Sequence, residues 1–323
     1  MKIQKRLIAE FEEQSYTQII FPHTKTDWAE YLNEAEETFV NIINAIRKYQ
    51  ECKIICFNIG EVKKHFTDTH NLIFIEYKTD DTWARDCSAL SIEENGNKKL
   101  LDFTFNAWGN KFDAKKDNAM TKAITPNALL CDFVLEGGAV ESNGLDMILT
   151  TSACMLNKNR NPSLNAGQIT NRLQKYFGVS KILYLKHGYL AGDDTDSHID
   201  TLARFIDTKT IVYVQCLDKK DEHFKELSLM EKELELFAKQ YDLRLFALPM
   251  CEKIYFKKQR LPATYANFLF VNNAILLPTY SVKTDILAIQ LFQDIFPTKK
   301  IVPIDCSILI RQHGSLHCLT MNF

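Results

Sequence analysis

Residues 27–59 read DWAEYLNEAEETFVNIINAIRKYQECKIICFNI, and they set one kind of element directly before another. From Asp27 onward, Trp28, Leu32, Ala35, Phe39, Ile42 and Ile46 recur at the spacing that gathers apolar side chains on one face of a helix, and that face is core rather than a binding stripe. Residues 53–59 then form a short, β-branched and aromatic run that reads as a strand. Working outward, similar runs bounded by turn residues occupy 72–77, 100–105, 147–151, 181–186, 211–216, 243–248 and 274–278. Three more helical stretches separate them. One runs from a Ser163 cap to a Gly178 stop, one spans 222–241 and aligns Leu227, Met230, Leu234 and Phe237, and one spans 281–296 and ends at Pro297. This alternation predicts an α/β fold built of several similar strand-and-helix modules. No Pro-, Gly- or Ser-rich linker divides the chain, so residues 1–323 are expected to form a single compact domain.

The composition, 46% hydrophobic and 25% charged over 323 residues, suits a globular enzyme with a sizeable core. Net charge is -2 and the basic residues are scattered, which argues against a nucleic-acid or membrane-surface partner. The start of the chain lacks the apolar run of a signal peptide, and no segment approaches the ~20 apolar residues that span a bilayer, so a cytoplasmic location is expected. Nine cysteines without a CxxC pair read as reduced thiols rather than a disulfide framework.

Four dense polar stretches break the apolar pattern: 79–86 (TDDTWARD), 135–138 (LEGG), 193–200 (DDTDSHID) and 312–318 (QHGSLHC). Together they supply carboxylates, a His-x-Asp pair and a thiol, the inventory that hydrolysis of a guanidinium requires. A guanidinium is planar, cationic and resonance-stabilised, so its carbon resists attack until carboxylates match its N–H edges. A thiolate can then add to that carbon, a histidine can protonate the departing ammonia, and the same histidine can activate the water that clears the covalent intermediate. Taken singly, each residue has a plainer reading: Asp86 beside Arg85 as a surface ion pair, Glu136 as a turn residue, Trp83 as core, Cys318 as one more buried thiol.

As an ordered set these blocks resemble the agmatine deiminase family, relatives of the bacterial-type peptidylarginine deiminases in the pentein superfamily. The similarity includes the opening AEFE at residues 9–12 through FPH at 21–23, FNAWG at 105–109, CMLNKNRNP at 154–162 and YANF at 265–268. The resemblance implies a pentein fold, a five-bladed pseudosymmetric α/β propeller. It implies that Asp86 and Asp200 grip the guanidinium and that Cys318 is the nucleophile. His198 would be the proton shuttle with Glu136 in support, and Trp83 and Trp108 would line the substrate pocket. The implied reaction gives N-carbamoylputrescine and ammonia from agmatine, a step of putrescine biosynthesis, without a metal or other cofactor. A homodimer is expected by base rate.

Arginine or peptidyl-arginine is the alternative substrate, and a non-catalytic binding protein the alternative function. No arginine occurs from Cys87 to Asn159, which favours a substrate without a carboxylate, although Arg160, Arg260 or Arg311 could fold inward. A zinc site drawn from His198, Asp200, His313, His317 and Cys318 fits no common ligand spacing. His23, His187 and His313 fall outside the reactive set, and His317 reads as a structural hydrogen-bonder. Three departures from the family pattern bear on loop shape: Cys87-Ser88-Ala89 in place of a Gly-Pro turn, Asp193-Asp194 in place of Asn-Glu, and a glycine-rich run reduced to His313-Gly314-Ser315. The lysine-rich stretch 110–125 is a candidate lid.

Overall fold

The helix expected from Asp27 forms in two steps. In the computed structural model, which describes residues 4–323, Asp27–Tyr31 is a 3-10 turn and α1 is Leu32–Ile46. Trp28 lies in the turn yet is buried with Ala35, Phe39, Ile42 and Ile46, so the apolar face continues across the change of helix type. α1 returns the chain to a strand, Glu51–Cys56, parallel to Tyr16–Ile20. This strand stops short of residue 59 because Asn58 caps a short helix, Ile59–Lys63, accepting from the Glu61 amide at 3.1 Å.

The same unit recurs: a strand, an antiparallel neighbour, a helix, and a third strand parallel to the second. Leu90–Glu94, Asn97–Thr104 and Leu129–Val134 are joined through α2 (Lys115–Ile124). Glu141–Ser142, Met147–Thr151 and Lys181–Leu185 use α3 (Ala166–Phe177). Ala203–Asp207, Thr210–Gln215 and Arg244–Pro249 use α4 (Phe224–Tyr241). Leu269–Val271, Ala274–Thr279 and Lys300–Asp305 use α5 (Thr284–Ile295). In the unit built on α1 the antiparallel place is filled from the far end of the chain, by Thr320–Asn322 against Tyr16–Ile20. Five units of one design match the number of blades expected, and the middle strands Met147–Thr151, Thr210–Gln215 and Ala274–Thr279 are buried on both faces, as strands between a neighbour and a covering helix must be.

Two expectations change. The cap of α3 is Asn165, not Ser163: the Asn165 side chain accepts from the Gln168 amide while the Gln168 side chain accepts from the Asn165 amide, a reciprocal box that a serine two residues earlier cannot close. Gly178 ends the helix in the left-handed conformation, as expected. The stretch 110–125, expected as a loop, is mostly helix. α2 escapes a periodicity reading because only Asp117, Met120 and Thr121 of it are buried. It is nevertheless pinned: the Asp117 carboxylate accepts from the Asp80 and Asp81 amides at 2.7 and 3.0 Å, and Asn118 Oδ1 accepts from the Phe105 amide at 2.8 Å.

Candidate active site

Each unit hands the chain to the next through a connector, and each connector places polar residues just ahead of the next antiparallel strand. Asp86 precedes Leu90–Glu94, Glu136 and Gly138 precede Glu141–Ser142, and His198 and Asp200 precede Ala203–Asp207. Asn267 precedes Leu269–Val271, and Cys318 precedes Thr320–Asn322. The repeat of the fold is therefore also the repeat that gathers the site.

Asp86 accepts from the Trp108 indole N–H at 2.9 Å and from the Gly138 amide at 3.0 Å, and its Oδ1 lies 3.7 Å from His198 Nδ1. Gly138 has to be glycine: a Cβ there would sit 2.6 Å from His198 Nδ1, 3.0 Å from Asp86 Oδ1 and 3.2 Å from Asp200 Oδ2. The Cys318 thiol is 3.9 Å from Asp200 Oδ2, and Asn267 lies against it, with Nδ2 at 3.3 Å and Oδ1 at 3.4 Å from Sγ. Two buried polar atoms at this centre, His198 Nε2 and Asp200 Oδ1, have no hydrogen-bond partner among the described residues. Such atoms cost about 1–3 kcal/mol each in a folded protein unless a ligand satisfies them.

The charges are arranged for proton transfer. Burial opposes an imidazolium at His198, but Asp86 and other neighbours outweigh it and raise the ring well above its ordinary value. Burial, then Asp200 and Asp86, push the Cys318 thiol up, and burial raises Asp86 as well. Burial and the neighbouring carboxylates thus favour the neutral thiol at Cys318, while Asp86 favours charge on His198.

Glu136 is fully buried, and both its oxygens accept from Arg160 Nε at 2.9 Å. Glu136, Cys154 and His198 bring ligand-type atoms within 4.8 Å of one another, but the carboxylate already carries a guanidinium, which disfavours a metal cation there. Arg160, left without a structural role by the sequence reading, also donates to Asp196 Oδ2 at 2.7 Å and to the Thr195 carbonyl at 2.9 Å. It thus braces the 195–197 turn, where Asp196 and Ser197 both have positive φ just before His198. Its neighbour Asn159 accepts through its carbonyl from Asn106 Nδ2 at 2.9 Å. Four successive residues there, Ala107 to Asn110, have positive φ, a conformation costing roughly 1–2 kcal/mol for each non-glycine. That strained turn aims Trp108 at Asp86. Asn267, also unforeseen, could have been found from its place, since it occupies the same connector position as Asp86, Asp200 and Cys318.

The cleft above the centre, about 290 Å³, is walled by Trp83, Trp108 and Phe112, with Asp86 and Cys318 at its lining. Trp83 packs on Gly314, where a Cβ would come within 2.1 Å of the indole. Farther out the lining carries Asp27, Asp81, Asp193 and Asp194, and no lysine or arginine is among the described residues that line it. The three inward-folding candidates are occupied elsewhere: Arg160 as above, Arg260 on Asp221 and Glu222, and Arg311 over the rings of Tyr31 and Phe256. Arg85 turns away from Asp86 to Glu10 at 2.9 Å, and no helix among the described residues is long and apolar enough to cross a membrane.

This geometry has known counterparts. C. jejuni agmatine deiminase, solved with substrate bound, superposes with a TM-score of 0.94 at 40% identity, covering 98% of this chain and 96% of that one. The agmatine deiminase of Enterococcus faecalis gives 0.91 at 25% identity over 99% and 95% of the two chains. The DDAH of Pseudomonas aeruginosa, at 11% identity and a TM-score of 0.53, shares the fold alone. With its model matched across residues 6–323, the Porphyromonas-type peptidyl-arginine deiminase family is the one to which this chain belongs.

Proposed function

We propose that the chain hydrolyses agmatine to N-carbamoylputrescine and ammonia through a covalent intermediate on Cys318. The observation that carries this reading is the charge of the cleft lining, which holds Asp27, Asp81, Asp86, Asp193 and Asp194 and no lysine or arginine among the described residues. In this reading Asp86 and Asp200, whose Oδ1 has no partner among the described residues, take the guanidinium, and the other aspartates of the cleft lining take the far ammonium of agmatine. Free arginine would instead set its carboxylate against those aspartates. At about 4 Å such like charges repel by on the order of 4 kcal/mol near a protein surface.

The bound cation favours ionisation of Cys318, whose thiol proton leaves to solvent, and the thiolate adds to the guanidinium carbon. The tetrahedral adduct expels ammonia as His198 gives up its proton, leaving a thiouronium. The neutral His198 then takes a proton from water as its oxygen attacks the same carbon, and collapse releases the thiolate and the carbamoyl product. Glu136 acts behind this pair, holding Arg160 and with it the turn that presents His198. All nine cysteines are free, in keeping with a reducing cytoplasmic setting.

Ammonia release and product mass with agmatine, free arginine and an arginyl peptide test the reading. Agmatine is expected to exceed the other two by at least about 100-fold in kcat/KM, the factor that roughly 3 kcal/mol of discrimination supplies. Equal or better turnover of arginine or the peptide would overturn the substrate assignment.

A further inference from the structure

Asp200 meets the reaction through one oxygen and the protein interior through the other. Its Oδ2 lies 2.7 Å from His317 Nδ1 and 3.3 Å from Asn267 Nδ2, while Oδ1 is left without a partner among the described residues. The opposite nitrogen of the same ring, His317 Nε2, lies 2.5 Å from Glu10 Oε2. Glu10 is fixed in turn by Arg85 at 2.9 Å, by Arg204 at 3.2 Å and by the Phe270 amide at 3.0 Å. His317 and Glu10 do not border the substrate cleft. They border a separate small cavity, which shares no lining residue with it.

We propose that His317 and Glu10 are positioning residues for the deiminase reaction: Glu10 orients the His317 ring, and the ring holds Asp200 ionised with Oδ2 saturated, so that Oδ1 alone is presented to the guanidinium. This rests on the function proposed above. Burial opposes charge on both carboxylates, yet His317, with Arg204 and Arg85, holds Glu10 well below the usual carboxylate range, and His317 first among neighbours lowers Asp200. The ring thus bridges the two carboxylates, one nitrogen to each. The charged and titratable groups that act on Asp200 are His317, His198, Arg204, Asp86 and Cys318, with Glu10 and Glu141 behind them. Without His317 the balance at Asp200 tips toward Asp86 and burial, and its pKa rises.

The sign follows. A carboxylate whose pKa is raised is lost to protonation at a higher pH, so the acid limb of kcat/KM moves upward and activity returns as pH increases. In His317→Asn, which keeps a neutral donor toward Asp200, the Asp200 titration is expected to rise by about one unit, a tenfold loss of its ionised form on the acid side. His317→Leu should move it further, and Glu10→Gln less. A merely structural loss would lower kcat/KM evenly across pH. Asp200 is also read directly by carboxyl carbon NMR titration, assigned with Asp200→Asn, which needs no turnover and serves should His317→Leu not fold. If the wild type fails to turn over agmatine while Asp200 titrates higher in His317→Asn, the functional reading falls and only the hold of His317 on Asp200 stands. An unmoved acid limb together with an unmoved Asp200 titration in the folded variants would overturn it.

Discussion

At the residue scale the account turns on Cys318 and the carboxylates around it. Burial, then Asp200 and Asp86, raise the thiol, so the free protein should show little thiolate absorbance at neutral pH and gain it when a guanidinium ligand binds. A thiol already ionised in the free protein would contradict that. Asp81 offers a second reading of charge: burial, with Asp27 and Asp117 nearby, pushes it up to about 7. Above that pH it is charged and attracts the far ammonium, and below it the attraction is lost. Asp81→Asn should therefore raise KM for agmatine roughly 3- to 10-fold at about pH 8 with kcat nearly unchanged, and the difference should vanish near pH 6. Steady-state kinetics at the two pH values check it. The sequence singled out groups that the fold brings together, because thiol, imidazole and carboxylates stand out in loops. It did not disclose the groups that position them. Arg160 and His317 look like ordinary polar residues until the fold wraps them around Glu136 and Asp200, which no local spacing encodes.

At the element scale the connectors matter more than the helices. Gly138→Ala would drive a methyl group against His198, Asp86 and Asp200 at once, and activity should fall by about 100-fold or more while the protein stays folded, a loss of the size that small misplacements of reacting groups produce. Activity together with circular dichroism checks both halves. Asn165→Ala, far from the cleft, should cost about 1 kcal/mol of stability through the lost α3 cap and leave kcat/KM unchanged, as denaturant unfolding and kinetics would show. Elements with a strong apolar period, such as α1 and α4, were legible in the sequence to within a few residues. α2 was not, since it buries little apolar surface and is held by hydrogen bonds to the 80–81 backbone. The left-handed run at 107–110 was invisible too, because its cost is offset by contacts from Asn159 and Asn106 that arrive from other elements or from side-chain geometry.

At the scale of the whole molecule, five like units share their connectors' polar ends in one centre, and the chain closes when Thr320–Asn322 pairs with Tyr16–Ile20. The strand that completes the fold is thus continuous with Cys318. Phe323, buried and stacked on Tyr16 with ring centroids 4.8 Å apart, anchors that closure. Phe323→Ala should lower stability by roughly 3–5 kcal/mol and reduce activity together, as thermal unfolding followed by assay would show. The modular α/β build was legible from strand and helix alternation, whereas the units carry no sequence repeat that could announce their number. The central claim is that this site is a cysteine-dependent agmatine deiminase, and ammonia release from agmatine by the wild type and by Cys318→Ala tests it most directly. The account predicts turnover by the wild type and none by the variant, which should still bind agmatine. Turnover that survives in Cys318→Ala, or a wild type that binds agmatine and releases no ammonia, would contradict it.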